Sequence, residues 1–297
     1  MRISTNNVMQ TTLFDLNIAL DRYTSAQNQV SSGKRLTKPS DDPAGMSYSL
    51  SLHSVLDTID QYRSNIGDAR AFLSTSDNAL SSATDVIRSV RTAVVQASST
   101  QMDDPARIAL ATQVDSAIQQ LAQVANTTYG QRYVFGGQRT TQPPFVASGD
   151  TFAYRGGSIA TDDGALTVDI GAGQSITINV TGDRVFANAF STLVKIRDDI
   201  IGGQTTELSQ TDLAQIDAVR SAILAARSEL GTKADSLAQT DARLEQSSLQ
   251  LKDTISKIED ADIPSAVIEL QTAQLAYQAA LSAASKSLSM NLLDFLR

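Results

Sequence analysis

Few side chains in this sequence could carry chemistry, and each has a plainer use. His53 is the single histidine and cysteine is absent. That removes thiolate nucleophiles, disulfides, Cys-based metal sites and any two-histidine mechanism. His53 follows the apolar Leu52, which predicts a place at the margin of a packed helix face rather than a catalytic role. Asp41-Asp42 offers paired carboxylates for metal or acid–base work, but Pro43 follows at once. Asp before Pro marks a helix start, with Asp42 as the N-cap. Asp162-Asp163-Gly164 lacks the further oxygen ligands that a calcium loop needs at fixed spacing, so it predicts a hairpin turn. Gly136-Gly137 and Gly156-Gly157 fit no phosphate-binding pattern. Arg88 and Arg91 fall on the outer side of a helix, as solvated charges or a subunit contact. The expectation is therefore not an enzyme: no catalytic, cofactor-binding or metal residues, and no cofactor.

Composition narrows the partners. With 24 basic and 32 acidic side chains the 297-residue chain carries a net charge of −8, whereas a nucleic-acid surface needs Lys and Arg in clustered excess. No run approaches the roughly 18 to 20 apolar residues of a membrane helix. Residues Met1 to Leu16 lack the charged start, apolar centre and small-residue cleavage site of a secretory signal. Neither nucleic acid nor membrane is expected as a partner.

The elements that would position these residues are long helices. From Leu52 every seventh residue is apolar: Leu52, Ile59, Ile66, Leu73, Leu80, Ile87 and Val94. A companion row three residues on (Val55, Tyr62, Ala69, Ser76, Ala83, Val90, Ala97) is broken only by Ser76. A second heptad series runs Ile216, Ile223, Leu230, Leu237, Leu244, Leu251 and Ile258, with weaker companions. Such series predict coiled-coil-like packing. Each row spans 42 residues, about 63 Å of helix, so the two are expected to pack antiparallel in an elongated rod. Asp104-Pro105 repeats the Asp-Pro start for a third helix with inner face Ile108, Ala111, Val114, Ile118, Leu121 and Ala125. Ten of the 16 glycines lie between Gly130 and Gly182. Short β-branched runs there (Tyr133–Phe135, Thr151–Tyr154, Leu166–Ile170, Ser175–Val180) are divided by turn signals, notably Asp163-Gly164 and Thr181-Gly182-Asp183. They predict a small β insertion, after which helix resumes from Asn188 to Ile201. The fold class is mainly α with a small β insertion. Residues 1–42 with 262–297 form a terminal helical part, 43–129 with 187–261 the rod, and 130–186 an outer β-rich domain.

The ends differ in kind. Leu13, Leu16, Leu20, Tyr23 and Val30 follow helical spacing, as do Leu270, Tyr277, Leu281, Leu288, Leu292 and Phe295. Charges are scarce on both segments, and their polar positions are mostly Ser, Thr, Asn and Gln. Two such helices pairing only with each other would leave much neutral and apolar surface in water. Isolated helices are marginal without packing, so these eleven residues are expected to form an assembly surface, partly disordered in a free subunit and ordered against neighbours. The opposing reading is that both helices dock onto the rod of their own chain.

Three stretches resemble the bacterial flagellin superfamily: SSGKRLTKPSDDPAG (Ser31–Gly45), IRSVRTAVVQASS (Ile87–Ser99) and the carboxy-terminal Ala261–Arg297, with ADIPSAVIEL and NLLDFLR. Within that superfamily GQRYVFGGQRTTQPPF (Gly130–Phe145), the opening Met1-Arg2-Ile3-Ser4-Thr5 and the ending Leu293–Leu296 look like the hook–filament junction type more than filament flagellin. The resemblance implies a structural subunit of the flagellum, exported unfolded without a cleavable signal and extracellular once assembled. It implies as partners other copies of the chain, the hook-side junction protein, flagellin, and a cytoplasmic export chaperone on the carboxy-terminal segment. Filament flagellin and a non-flagellar coiled-coil adaptor or binding module are the alternatives.

Overall fold

The computed structural model describes residues 2–98, 102–158, 164–186 and 188–295, with the side chains of 2–6, 8 and 287–295 outside that description. In chain order the elements are α1 (Arg2–Ser32), α2 (Pro43–Ser98) and α3 (Asp104–Ala125), then six short strands, then a second helical series. The strands are β1 (Thr128–Tyr129), β2 (Arg132–Tyr133), β3 (Phe145–Ser148), β4 (Thr151–Tyr154), β5 (Thr167–Gly171) and β6 (Gln174–Thr177). The later helices are α4 (Gly182–Phe186), α5 (Ala189–Ile201), the single turn α6 (Thr205–Glu207), α7 (Leu213–Glu259) and α8 (Ile263–Phe295), with a π-helical turn at Leu208–Asp212 before α7. The protein is mainly α with small β hairpins. Two compact units result: Met1–Thr58 with Gln246–Arg297, and Ile59–Glu245.

In the second unit the heptad rows make the core. Ile59, Ile66, Leu73, Leu80, Ile87 and Val94 of α2 are all buried, as are Ile216, Ile223, Leu230 and Leu237 of α7. Toward the end of α7 the strict sevenfold spacing drifts off the buried side. Leu244, Leu251 and Ile258 are only half-buried, and Thr240, Ser248 and Ile255 take the inner positions. A straight α-helix repeats at 3.6 residues and leaves a 3.5 repeat by about 20° per heptad. Ser76, the break in the companion row, is buried because its hydroxyl donates to the Phe72 carbonyl at 2.9 Å. Three ion pairs fix α2 and α7 antiparallel: Arg63–Asp241 at 2.9 Å, Arg227–Asp77 at 2.8 Å and Arg91–Asp217 at 3.0 Å. Arg91 is therefore a cross-helix partner rather than a free outer charge, while Arg88 pairs along its own helix with Asp85.

Three sequence expectations need correction here. The start of α3 is one residue earlier than Asp104-Pro105 implies: Asp103 is the N-cap, accepting from the Ala106 amide, and Asp104 is already helical. Ile108, placed on the inner face of α3, is 60% exposed, and Leu110 is buried instead. The turn expected at Thr181-Gly182-Asp183 opens α4. The Asp162-Asp163 turn lies outside the described residues.

Among the described residues the β insertion forms three separate antiparallel hairpins, β1–β2, β3–β4 and β5–β6. Two-stranded ribbons are marginal alone, and β3–β4 rests on an aromatic cluster. Phe145 meets the rings of Tyr154, Phe186 and Phe190 with centroids 5.1 to 5.8 Å away. The Asn126 side chain, at the end of α3, bonds both the amide and the carbonyl of Phe145 and so clamps β3 to the helices. In the π-helical turn Asp212 is fully buried against Lys195 at 2.7 Å, and burial pushes its carboxyl above the ordinary value.

Candidate assembly surface

The first unit contains the terminal helices, the start of α2 and the end of α7. The segment Gly33–Gly45 is folded by local chemistry. Gly33 closes α1 at φ +69°, its amide on the Gln29 carbonyl, a conformation that side-chain-bearing residues adopt only at a cost. Leu36 is buried. The two adjacent carboxylates do different work. Asp41 Oδ2 accepts from the amides of Lys38 and Thr37 at 2.9 and 3.1 Å and from the Thr37 hydroxyl. Those bonds, the one from Lys38 first, hold its carboxyl below the usual carboxylate range. Asp42 Oδ1 accepts from the Gly45 amide at 3.0 Å, the N-cap bond of α2 with Pro43 at its first position. A Cβ at Gly45 would lie 2.4 Å from Asp42 Oδ2, so the cap leaves no room for one. Asp41 and Asp42 thus act on backbone amides rather than as a carboxylate pair for a ligand. His53 Nε2 lies 2.8 Å from Glu259 Oε1, within this unit.

α1 and α8 pack on one another as an antiparallel pair. Tyr23 and Tyr277 stack across it with centroids 6.0 Å apart and planes 7° from parallel. Ala26, Ala266 and Ala284 are buried between the helices, and small side chains there allow close approach. Leu16, Tyr23, Val30, Leu270 and Tyr277 are half-buried in the pair. Leu13, Leu20 and Leu281 are exposed. Leu288, Leu292 and Phe295 lie outside the described side chains. Of the eleven residues expected as one surface, the eight whose side chains are described thus comprise five half-buried and three more exposed ones. Residues that sequence spacing did not single out are more exposed still: Phe14 65%, Ile268 65% and Leu275 67%, with Met9, Ile18 and Ile263 also uncovered. Along one side a groove runs between Ile18, Ala19 and Ala26 of α1 and Thr272, Ala273 and Ala276 of α8.

Among the described residues no helix is long and apolar enough to cross a membrane, and no group of three or more His, Cys, Asp or Glu is placed to hold a metal ion.

The family model of the bacterial flagellin N-terminal helical region matches residues 3–140, and that of the C-terminal helical region matches 213–296; the chain belongs to the bacterial flagellin superfamily. Within it the chain is similar to flagellar hook-associated protein 3 of Salmonella typhimurium, 28% identical over 94% of both chains. It is also similar to that of Escherichia coli, 29% identical over 83% of this chain and 75% of the relative. A flagellin of Listeria monocytogenes is 26% identical over 97% of this chain and 96% of its own. Among solved structures, flagellar hook-associated protein 3 of Legionella pneumophila superposes with a TM-score of 0.64 at 16% identity, covering 70% of this chain and 98% of that one. Bacillus cereus FlgL gives 0.60 at 20% identity, over 69% and 99%. Both show the same fold.

Proposed function

We propose that the chain is a structural subunit of the bacterial flagellum, an adaptor at the hook–filament junction that polymerises through its terminal helices. One observation supports this above the rest. The α1–α8 pair covers its own inner residues yet leaves Phe14, Ile268 and Leu275 open to water, as a subunit does whose remaining burial comes from neighbours. The somewhat higher identity to hook-associated protein 3 of Salmonella typhimurium, 28% over 94% of both chains against 26% for the Listeria monocytogenes flagellin, supports the junction position. In this reading residues 1–42 with 262–297 are the assembly part, 43–129 with 187–261 the helical rod, and 130–186 the outer domain. The work is mechanical, with no turnover. The partners are other copies in the junction layer, the hook-side junction protein and flagellin, with a cytoplasmic chaperone on the carboxy-terminal segment before export. The assembled protein is extracellular, as part of the flagellum.

Deletion tests the reading. Cells lacking the chain should carry hooks without filaments and release unpolymerised flagellin; normal filaments would overturn it. Filament flagellin, the alternative that full-length flagellin relatives support, makes a different prediction. A flagellin extends into long filaments when seeded, whereas a junction subunit adds a layer and stops.

A further inference from the structure

The last turn of α7 is tied to two other segments of its own unit through one side chain. Glu259 Oε1 accepts from the Ser49 hydroxyl and sits 2.8 Å from His53 Nε2, groups one turn apart on α2. Glu259 Oε2 accepts from Lys34 Nζ at 3.1 Å, and the same ammonium reaches Asp260 Oδ1 at 2.6 Å. The Glu259 carbonyl accepts from the Arg35 and Leu36 amides at 2.6 and 3.3 Å. The Arg35 guanidinium donates to the Ile258 carbonyl at 2.7 Å, and the Ala261 amide to the Gly33 carbonyl at 2.9 Å. The carbonyls that a helix end leaves without intrahelical partners are here taken up by the loop between α1 and α2.

The side-chain part of this knot depends on the carboxylate. Ser49 is fully buried and Glu259 largely so, and a buried hydroxyl stripped of its acceptor is costly. The charged and titratable groups facing Glu259 are Lys34 and Arg35 from the loop, His53 from α2 and Asp260 beside it on the chain. The Ser49 hydroxyl first, then His53 and Lys34, hold the Glu259 carboxyl below its ordinary value against the opposing effect of burial. The contact with Asp260 in turn raises the Lys34 ammonium. Bonds between a carboxylate and a charged donor are about twice as strong as neutral ones.

We propose that Glu259 is the positioning residue of the terminal pair. Its carboxylate clasps the start of α2, through Ser49 and His53, and the loop where α1 ends, through Lys34, to the end of α7 immediately before α8, so that it shares with the backbone bonds the force that the assembled terminal helices pass into α2 and α7. The geometry stands by itself; the purpose rests on the assembly reading above.

Hydrogen exchange on the full-length monomer, together with shear resistance of assembled junctions, tests it. In Glu259→Ala the amides of Arg35 and Leu36 should exchange roughly tenfold faster or more, with residues 59–245 unchanged. Glu259→Gln, which keeps shape and an acceptor, guards against a folding failure and should show a smaller rise. Lys34→Arg should restore what Lys34→Ala loses. Protection at Arg35 and Leu36, corrected for intrinsic rates, should fall as pH drops through the depressed range of the carboxylate in the wild type but not in Glu259→Gln. Junctions carrying Glu259→Gln should shed filaments at lower shear. Wild-type exchange at Arg35 and Leu36 in both Glu259 variants would overturn the clasp, as would an equal rise throughout 59–245. Local loosening with undiminished shear resistance would overturn its mechanical purpose while leaving the assembly reading intact. Failure of the wild-type chain to enter a junction at all would overturn that reading instead.

Discussion

Replacing Leu275 by Ser separates assembly from folding. Leu275 is 67% exposed on the side of α8 away from α1, so the monomer loses little: surface changes of this kind stay within about 0.5 kcal/mol. Full burial of a leucine side chain is worth about 1.5–3 kcal/mol. Two thirds of that is still available to a neighbour, so each contact in the assembly should weaken by about 1–2 kcal/mol, a factor of roughly 5 to 30 in the association constant. Tyr277→Ala is the contrast. Its ring is half-buried and stacked on Tyr23, and such a pair adds about 0.5–1.5 kcal/mol beyond its buried area, so this change should loosen the monomer itself. Circular-dichroism melts of the monomer and co-sedimentation with isolated hooks read the two effects. If Leu275→Ser joins hooks as the wild type does, or lowers the monomer's melting temperature as much as Tyr277→Ala, the argument from exposure fails.

Other changes have equally definite outcomes. Asp42→Ala should cost about 1 kcal/mol through the lost N-cap of α2, measurable by urea unfolding. At α3 the same cost should follow Asp103→Ala and not Asp104→Ala, because only Asp103 caps the helix. Ile87→Ala, at a fully buried heptad position, should destabilise the second unit by about 2–5 kcal/mol in thermal unfolding. Glu259 has a depressed folded-state pKa. Its contribution is therefore complete above the unfolded-state value and lost as pH falls through the folded-state value, so acid should loosen the first unit, and less so in Glu259→Gln.

The buried side of α2 was legible because one period carried the information. Every residue of the first heptad row from Leu52 to Val94 is buried, and burial is what a sevenfold apolar series encodes. The capping of α2 was legible for a similar reason, since Asp42-Pro43 acts on amides one turn away. What needed long-range partners was not. The Arg91 pairing depends on Asp217 across the core, α4 forms against an aromatic cluster gathered from β2–β3, β4 and α5, and His53 finds Glu259 more than 200 positions away.

The terminal helices show why the proposed assembly surface is harder to read than a core. Helical spacing selects residues that share a stripe, but α1 and α8 each carry more than one apolar stripe, and spacing alone does not say which meets the other helix. Leu16, Tyr23 and Val30 form the stripe that α8 half-covers, whereas Phe14 and Ile18 lie off it and stay exposed. On α8 the half-buried Leu270 and Tyr277 and the exposed Ile268 and Leu275 have the same sevenfold separation. The period is the same for both pairs, and the more hydrophobic pair is the exposed one; only the fold divides them. The scarcity of charge was the better signal, because it describes the whole circumference of each helix rather than one side. In the proposed assembly, where neighbours cover the outer face as well, few positions are left where a charge can remain solvated.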